Sequence, residues 1–131
     1  MKVIRFTSVY LLSLMLLASC QGQGVKPQKL DPGSFENKMN AAPDKIILDV
    51  RTQGEYKEGH LHNAVLIDFW GDDFKAEISK LDKSKPVFVY CKSGGRSSGA
   101  ADALMQVGFK QVYNLDGGIM AWTGANKKIE K

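Results

Sequence analysis

Short, largely apolar runs at residues 46–48, 65–69, 87–90 and 112–115 alternate with longer mixed stretches along the 131-residue chain. Apolar runs without strict alternation suit strands buried on both faces of a parallel sheet. The stretches between them carry helix signals. Asp31 followed by Pro32 reads as an N-cap and first helical position, leading into residues 35–40. Pro43 breaks that helix. Thr52 and Glu55 stand at capping-box spacing at the head of residues 52–58. A charged amphipathic segment covers residues 73–80, and residues 98–107 form a helical stretch stopped by Gly108. Gly117-Gly118 opens a last short helix through Trp122. With no repeat and no second zone of composition, the pattern predicts one α/β domain, with a mostly parallel central sheet flanked by helices.

The first twenty residues behave differently. Lys2 and Arg5 precede an apolar stretch, residues 6–17, that falls short of the roughly 20 residues a bilayer-spanning helix needs. A charged start, a short apolar core and small residues at its end fit an export signal, with an uncleaved membrane anchor as the rival reading. Leu17-Ala18-Ser19-Cys20 resembles the lipobox of bacterial lipoproteins, which implies that Cys20 is acylated and becomes the new first residue. Several acyl chains would hold the protein firmly on a bilayer. Gln21-Gly22-Gln23-Gly24 then begins a polar tether. The expected division is a signal peptide over 1–19, a lipidated terminus and tether over 20–29, and the folded domain over 30–127, held at a membrane of the cell envelope.

Composition changes this picture little. Hydrophobic residues at 44% and charged residues at 24% are ordinary for a globular chain. The net charge of +4 comes from 18 basic and 14 acidic residues, and loss of Lys2 and Arg5 would leave 16 against 14. The remaining lysines are scattered, so nucleic acid is not an expected partner. Of the two cysteines, lipidation of Cys20 would leave Cys91 alone and without an internal disulfide. A lone thiol in an exported domain asks for a chemical reason.

The segment around Cys91 supplies one. Residues 87–90 read as a strand, then comes Cys91-Lys92-Ser93-Gly94-Gly95-Arg96-Ser97, then a helix. No loop residue is proline, so each contributes a backbone N–H. Gly94 and Gly95 allow positive φ angles that turn such groups inward. The helix start adds partial positive charge, and Lys92 and Arg96 add two formal charges. A thiol on the floor of this cradle is expected to ionise below the ordinary range for cysteine. The competing reading, a buried strand-end cysteine beside a tight turn, leaves two glycines, two cations and a helix start unexplained.

Four motifs in order resemble the rhodanese family over most of the chain: Leu48-Asp49-Val50-Arg51, the stretch from Gly59 to Ala64, Tyr90 to Ser97, and Leu115 to Trp122. The resemblance implies a rhodanese-like three-layer fold. It also implies a sulfurtransferase that holds a persulfide on Cys91 between two half-reactions. Related cell-cycle phosphatases have a loop one residue longer, so six residues from Cys91 to Arg96 point away from phosphatase or arsenate reductase chemistry. The alternative kept open is a persulfide-carrying or thiol-sensing module that turns over small molecules poorly.

Residue roles follow from this reading. Backbone N–H groups from Lys92 to Ser97 are expected to stabilise thiolate and persulfide. Lys92 is a candidate for attracting an anionic donor, and Arg96 either contacts substrate or braces the loop. Ser97 is expected to cap the following helix. Asp49 and Arg51, at a strand's C-terminal end, are read as supports for the loop. His60 and His62 lack a third ligand of suitable spacing, so no metal is expected, and no cofactor is called for. Trp122 is read as a packing residue. The expected partners are a small-molecule or protein sulfur donor, a thiol acceptor and the membrane, with the protein a monomer.

Overall fold

The computed structural model describes residues 25–131, so the expected export signal and the lipidation residue Cys20 lie outside the described residues. The chain runs β1 (Gln28–Leu30), α1 (Pro32–Ala41), β2 (Ile46–Asp49), α2 (Gln53–Glu58), β3 (Val65–Leu66), α3 (Phe74–Ser79), β4 (Val87–Tyr90), α4 (Gly95–Gln106), β5 (Val112–Leu115) and α5 (Gly118–Gly124). The five strands form one sheet in the order β1-β5-β4-β2-β3, and every pair is parallel.

Side-chain alternation along the strands divides the interior into two cores. Leu48, Val50, Val87, Val89 and Cys91 face α3 and α4, where they meet Phe74, Ile78, Ala100, Ala101 and Leu104. Ile47, Phe88, Tyr90, Tyr113 and Leu115 face α1 and α5 on the other side. There Phe35 of α1 packs edge-on against Phe88 and Trp122, with ring centroids 5.3 and 6.2 Å away. Trp122 is thus a packing residue, and its indole N–H is satisfied by the Lys128 carbonyl at 2.9 Å. Helices on both faces of a parallel sheet make three layers.

The strands 46–49, 87–90 and 112–115 lie where the apolar runs place them, and Asp31 and Thr52 cap α1 and α2 as expected. Four boundaries differ for identifiable reasons. Residues 28 and 29, expected in the tether, belong to an edge strand. Gln28 and Lys29 pair with Tyr113 and Asn114, and an exposed edge strand needs no apolar pattern to signal it. At the other end the fold continues past residue 127, because His60 and Glu130 exchange backbone hydrogen bonds of 2.8 Å. The strand expected over 65–69 is regular for two residues only, although the amides of Ile67 and Phe69 still donate to Asp49 and Val50. Finally, α4 begins at Gly95, three residues earlier than its pattern suggests, because Gly94 adopts φ 110° and turns the chain directly into the helix.

Strand order decides where a site can form. The chain leaves β2 through α2 on one face of the sheet, and leaves β4 through α4 on the other. Since β2 and β4 are neighbours, a crevice opens between their C-terminal ends, the position where open α/β sheets bind ligands. Asp49, Arg51 and Cys91 all stand there.

Candidate active site

Cys91 follows β4 directly, and strand alternation turns its side chain toward α4, whose first turn lies over it. It is 1% exposed and is the free cysteine of the described residues. The amide of Gly94 donates to Sγ at 3.1 Å. Burial by itself pushes the thiol up. The hydroxyl and amide of Ser97, with the amides of Gly94 and Ser93, outweigh it and hold the thiol below its ordinary pKa. Twelve residues of helix pointing their N-terminus at the sulfur act in the same sense.

The loop is held in this shape from outside. The amides of Ile119 and Met120, in the first turn of α5, donate to the carbonyls of Cys91 and Lys92 at 2.9 and 3.1 Å. With these carbonyls satisfied away from the sulfur, the loop amides are free to face it. The approach is so close that a Cβ on Gly118 would lie 2.4 Å from the Lys92 carbonyl oxygen and 2.5 Å from that of Cys91. Only glycine fits there, which gives the Gly117-Gly118 pair its physical meaning.

Two expectations need correction, and one alternative is decided. Gly94 takes the positive φ, but Gly95 is an ordinary first residue of α4 with nothing within 4 Å of a Cβ placed on it. Ser97 does not cap the helix. Gly94 occupies that position, and Ser97 sits buried in the first turn with its hydroxyl 3.2 Å from the Gly94 carbonyl. The hydroxyl has one proton and two acceptors in reach. A neutral thiol leaves it with the carbonyl, whereas a thiolate is the stronger acceptor and draws it to sulfur. Arg96 does not reach toward the sulfur as a free cation. Its two terminal nitrogens donate to the two oxygens of Glu55, each at 2.8 Å, and Trp70 covers the guanidinium at 4.6 Å. It braces the loop against α2. Its hydrogen bonds hold the Glu55 carboxyl at a pKa of about 2.

Asp49 and Arg51 form a second brace beneath the loop. Asp49 accepts from the Arg51 Nε and Nη2 and from the Tyr90 hydroxyl, the last at 2.6 Å. Arg51 Nη2 also donates to the Gly59 carbonyl at 2.7 Å, and Tyr90 Oη accepts from the Leu61 amide. The residue before Cys91 is therefore tied to β2 and to the 59–61 turn. Lys92 and Ser93 are exposed at the rim. His60 stacks on Tyr56 with centroids 3.9 Å apart, and His62 pairs with Glu130. Glu55 as the partner of Arg96, and the bracing roles of Tyr90 and Trp70, were not legible in the sequence. The Thr52–Glu55 capping box was the one local signal pointing at any of them.

Comparison with known proteins agrees with this geometry. The Rhodanese-like domain family matches residues 31–125. The thiosulfate sulfurtransferase GlpE of Coxiella burnetii is 42% identical over 79 residues, covering 60% of this chain and 72% of the relative. The tRNA uridine(34) hydroxylase of Chlamydia abortus is 36% identical over 110 residues, 79% of this chain. Only 32% of that hydroxylase is covered, so the chain spans about a third of its length. Among solved structures, the rhodanese-like domain of an Anabaena protein superposes with TM-score 0.69 at 30% identity, covering 80% of this chain and 79% of that one. A rhodanese-related protein of Thermoplasma volcanium gives the same TM-score at 24% identity, a likeness of fold, over 79% of this chain and 97% of the other.

Two predictions test the cradle. Gly94→Ala forces a side chain into a left-handed conformation and should destabilise the domain by about 1–3 kcal/mol. Gly95→Ala should be neutral or stabilising by up to about 1 kcal/mol, since alanine is the better helix former. Urea denaturation of both variants checks the contrast, and equal destabilisation would contradict the assignment of the turn. Ser97→Ala removes a donor to sulfur, so the Cys91 thiol should titrate at higher pH than in the parent protein. Ultraviolet absorbance of the thiolate against pH measures this, and an unmoved titration would exclude Ser97 from stabilising it.

Proposed function

The chain belongs to the rhodanese-like domain family, and from that membership we propose that it moves sulfane sulfur from an anionic or persulfide donor to a thiol acceptor through Cys91. The observation that carries the reading is a buried thiol with lowered pKa, held at a strand end under inward-facing amides. The sulfurtransferase named among the relatives supports it.

With thiosulfate as donor, the Cys91 thiolate attacks the outer sulfur. The sulfur–sulfur bond of the donor breaks, its electron pair leaves with sulfite, and a persulfide remains on Cys91. In the second half-reaction an acceptor thiolate attacks the outer persulfide sulfur, and the electron pair returns to Cys91 Sγ. Neither step needs an oxidant or reductant. Negative charge sits on sulfur throughout, so the same amides of Ser93, Gly94 and Ser97 stabilise each state. Lys92 at the rim draws an anionic donor toward the loop, in a manner that salt weakens.

A second reading, a persulfide carrier that serves a partner protein, is favoured by the hydroxylase relatives, in which the matching segment is a minor part of a longer chain. It keeps the same cysteine and differs in turning over small molecules slowly.

We further propose that Cys20 is acylated and tethers the domain to a cell-envelope membrane. Cys20→Ala should release the protein from membranes on detergent phase separation, and unchanged retention would point to an uncleaved apolar anchor. For the chemistry, thiosulfate treatment of the purified domain should add the mass of one sulfur atom at Cys91. Cys91→Ser should show neither the added mass nor turnover, with its fold intact. Sulfur transfer surviving in that variant would defeat the nucleophile assignment.

A further inference from the structure

Beside the loop, between α2 and α5, lies a cleft of about 220 Å³. That is room for about seven waters, or one small organic molecule. Lys92 forms its border with the loop, and Ile119, Met120 and Ile129 supply apolar surface. Arg51 also reaches it. The Nε and Nη2 of this arginine are spent on Asp49 and Gly59, but Nη1 has no hydrogen-bond partner among the described residues. That nitrogen is also not sealed from solvent, since the single buried unpartnered side-chain atom among those residues is Asn114 Oδ1. Lys92 likewise has no ion-pair partner among them. The free Nη1 edge of the Asp49-paired Arg51 and the unpaired Lys92 ammonium therefore share a small cleft with an apolar wall.

Two carboxylates line the cleft as well. The oxygens of Glu55 are taken by Arg96 and Thr52. Glu58 is exposed to solvent, as Lys92 is, and water screens both.

Building on the sulfurtransferase reading, we propose that this cleft is the acceptor subsite, and that it selects a low-molecular-weight thiol bearing a carboxylate. The carboxylate meets Arg51 Nη1 and the Lys92 ammonium, and the carbon chain lies on Ile119 and Met120. The thiol end then points across Lys92 to the loop mouth. An inorganic donor dianion has no use for the apolar wall, which distinguishes this cleft from the donor's path. In the transfer step the acceptor thiol loses its proton to solvent. Its thiolate forms a bond to the outer sulfur of the Cys91 persulfide. The bond between the two Cys91 persulfide sulfurs breaks, leaving a Cys91 thiolate and the acceptor's own persulfide.

The test is single-turnover transfer from the thiosulfate-loaded domain, with loading first verified by intact mass in every protein used. The acceptors are 3-mercaptopropionate, neutral 2-mercaptoethanol and cationic cysteamine, compared at equal thiolate concentration. Mercaptopropionate should saturate at a concentration about tenfold below either of the others, as a charge-assisted hydrogen bond implies. Thr123→Trp, which fills the cleft from α5, should erase that preference, and Lys92→Gln should reduce it. Absence of loading would sink the sulfurtransferase reading itself, and this inference with it. Normal loading with equal rates for the three thiols, or a preference that survives Thr123→Trp, would overturn the acceptor subsite alone.

Discussion

Everything at the site depends on where the backbone carbonyls of Cys91 and Lys92 find their donors. Backbone groups packed beneath a loop must all be satisfied, and a single turn cannot satisfy carbonyls and amides internally. Here α5 takes the carbonyls through the amides of Ile119 and Met120. The loop amides are then free for sulfur, and a buried thiol that would otherwise stay protonated becomes easier to ionise. The requirement for glycine at position 118 is the steric consequence of bringing two backbones this close.

Two arginines hold the loop, and they do so by different physics. Arg51 and Asp49 are an almost fully buried pair, costly to desolvate but held by further hydrogen bonds from Tyr90 and to Gly59. Such a pair adds little net stability. It does specify one arrangement of the ends of β2 and β4, because any other leaves a buried charge alone. Arg96 and Glu55 are partly exposed and bidentate, and they join the first turn of α4 to α2 under the cover of Trp70. Together the braces fix the loop at its floor and at its far end.

The topology explains why both braces meet at one place. Since α2 and α4 leave adjacent strands on opposite faces, the loop after β4 is flanked by α2 on one side and by its own helix on the other. The cleft beside Lys92 is a by-product of the same arrangement, bounded by the end of α2, the first turns of α5 and the C-terminal Ile129. The Cys91 loop, its bracing residues and the cleft all derive from the single reversal of strand order between β2 and β4.

Apolar runs, caps and the Cys91–Ser97 motif were legible in the chain itself, because each depends on neighbours within a few residues. Strand period, the Thr52–Glu55 box and the clustering of glycine and cations around one thiol are local properties. By themselves they determined an α/β domain, its central strands and Cys91 as the candidate thiol. Tertiary structure decided which of two adjacent glycines takes the left-handed turn, since both are sterically permissive and only the path into α4 distinguishes them. It also decided that Arg96 braces the loop, because its partner Glu55 lies 41 residues away and no local pattern links the two. The polar edge strand at Gln28–Leu30 was hidden for the same reason. A strand held by backbone pairing to β5, with little to bury, leaves no hydrophobic period to read.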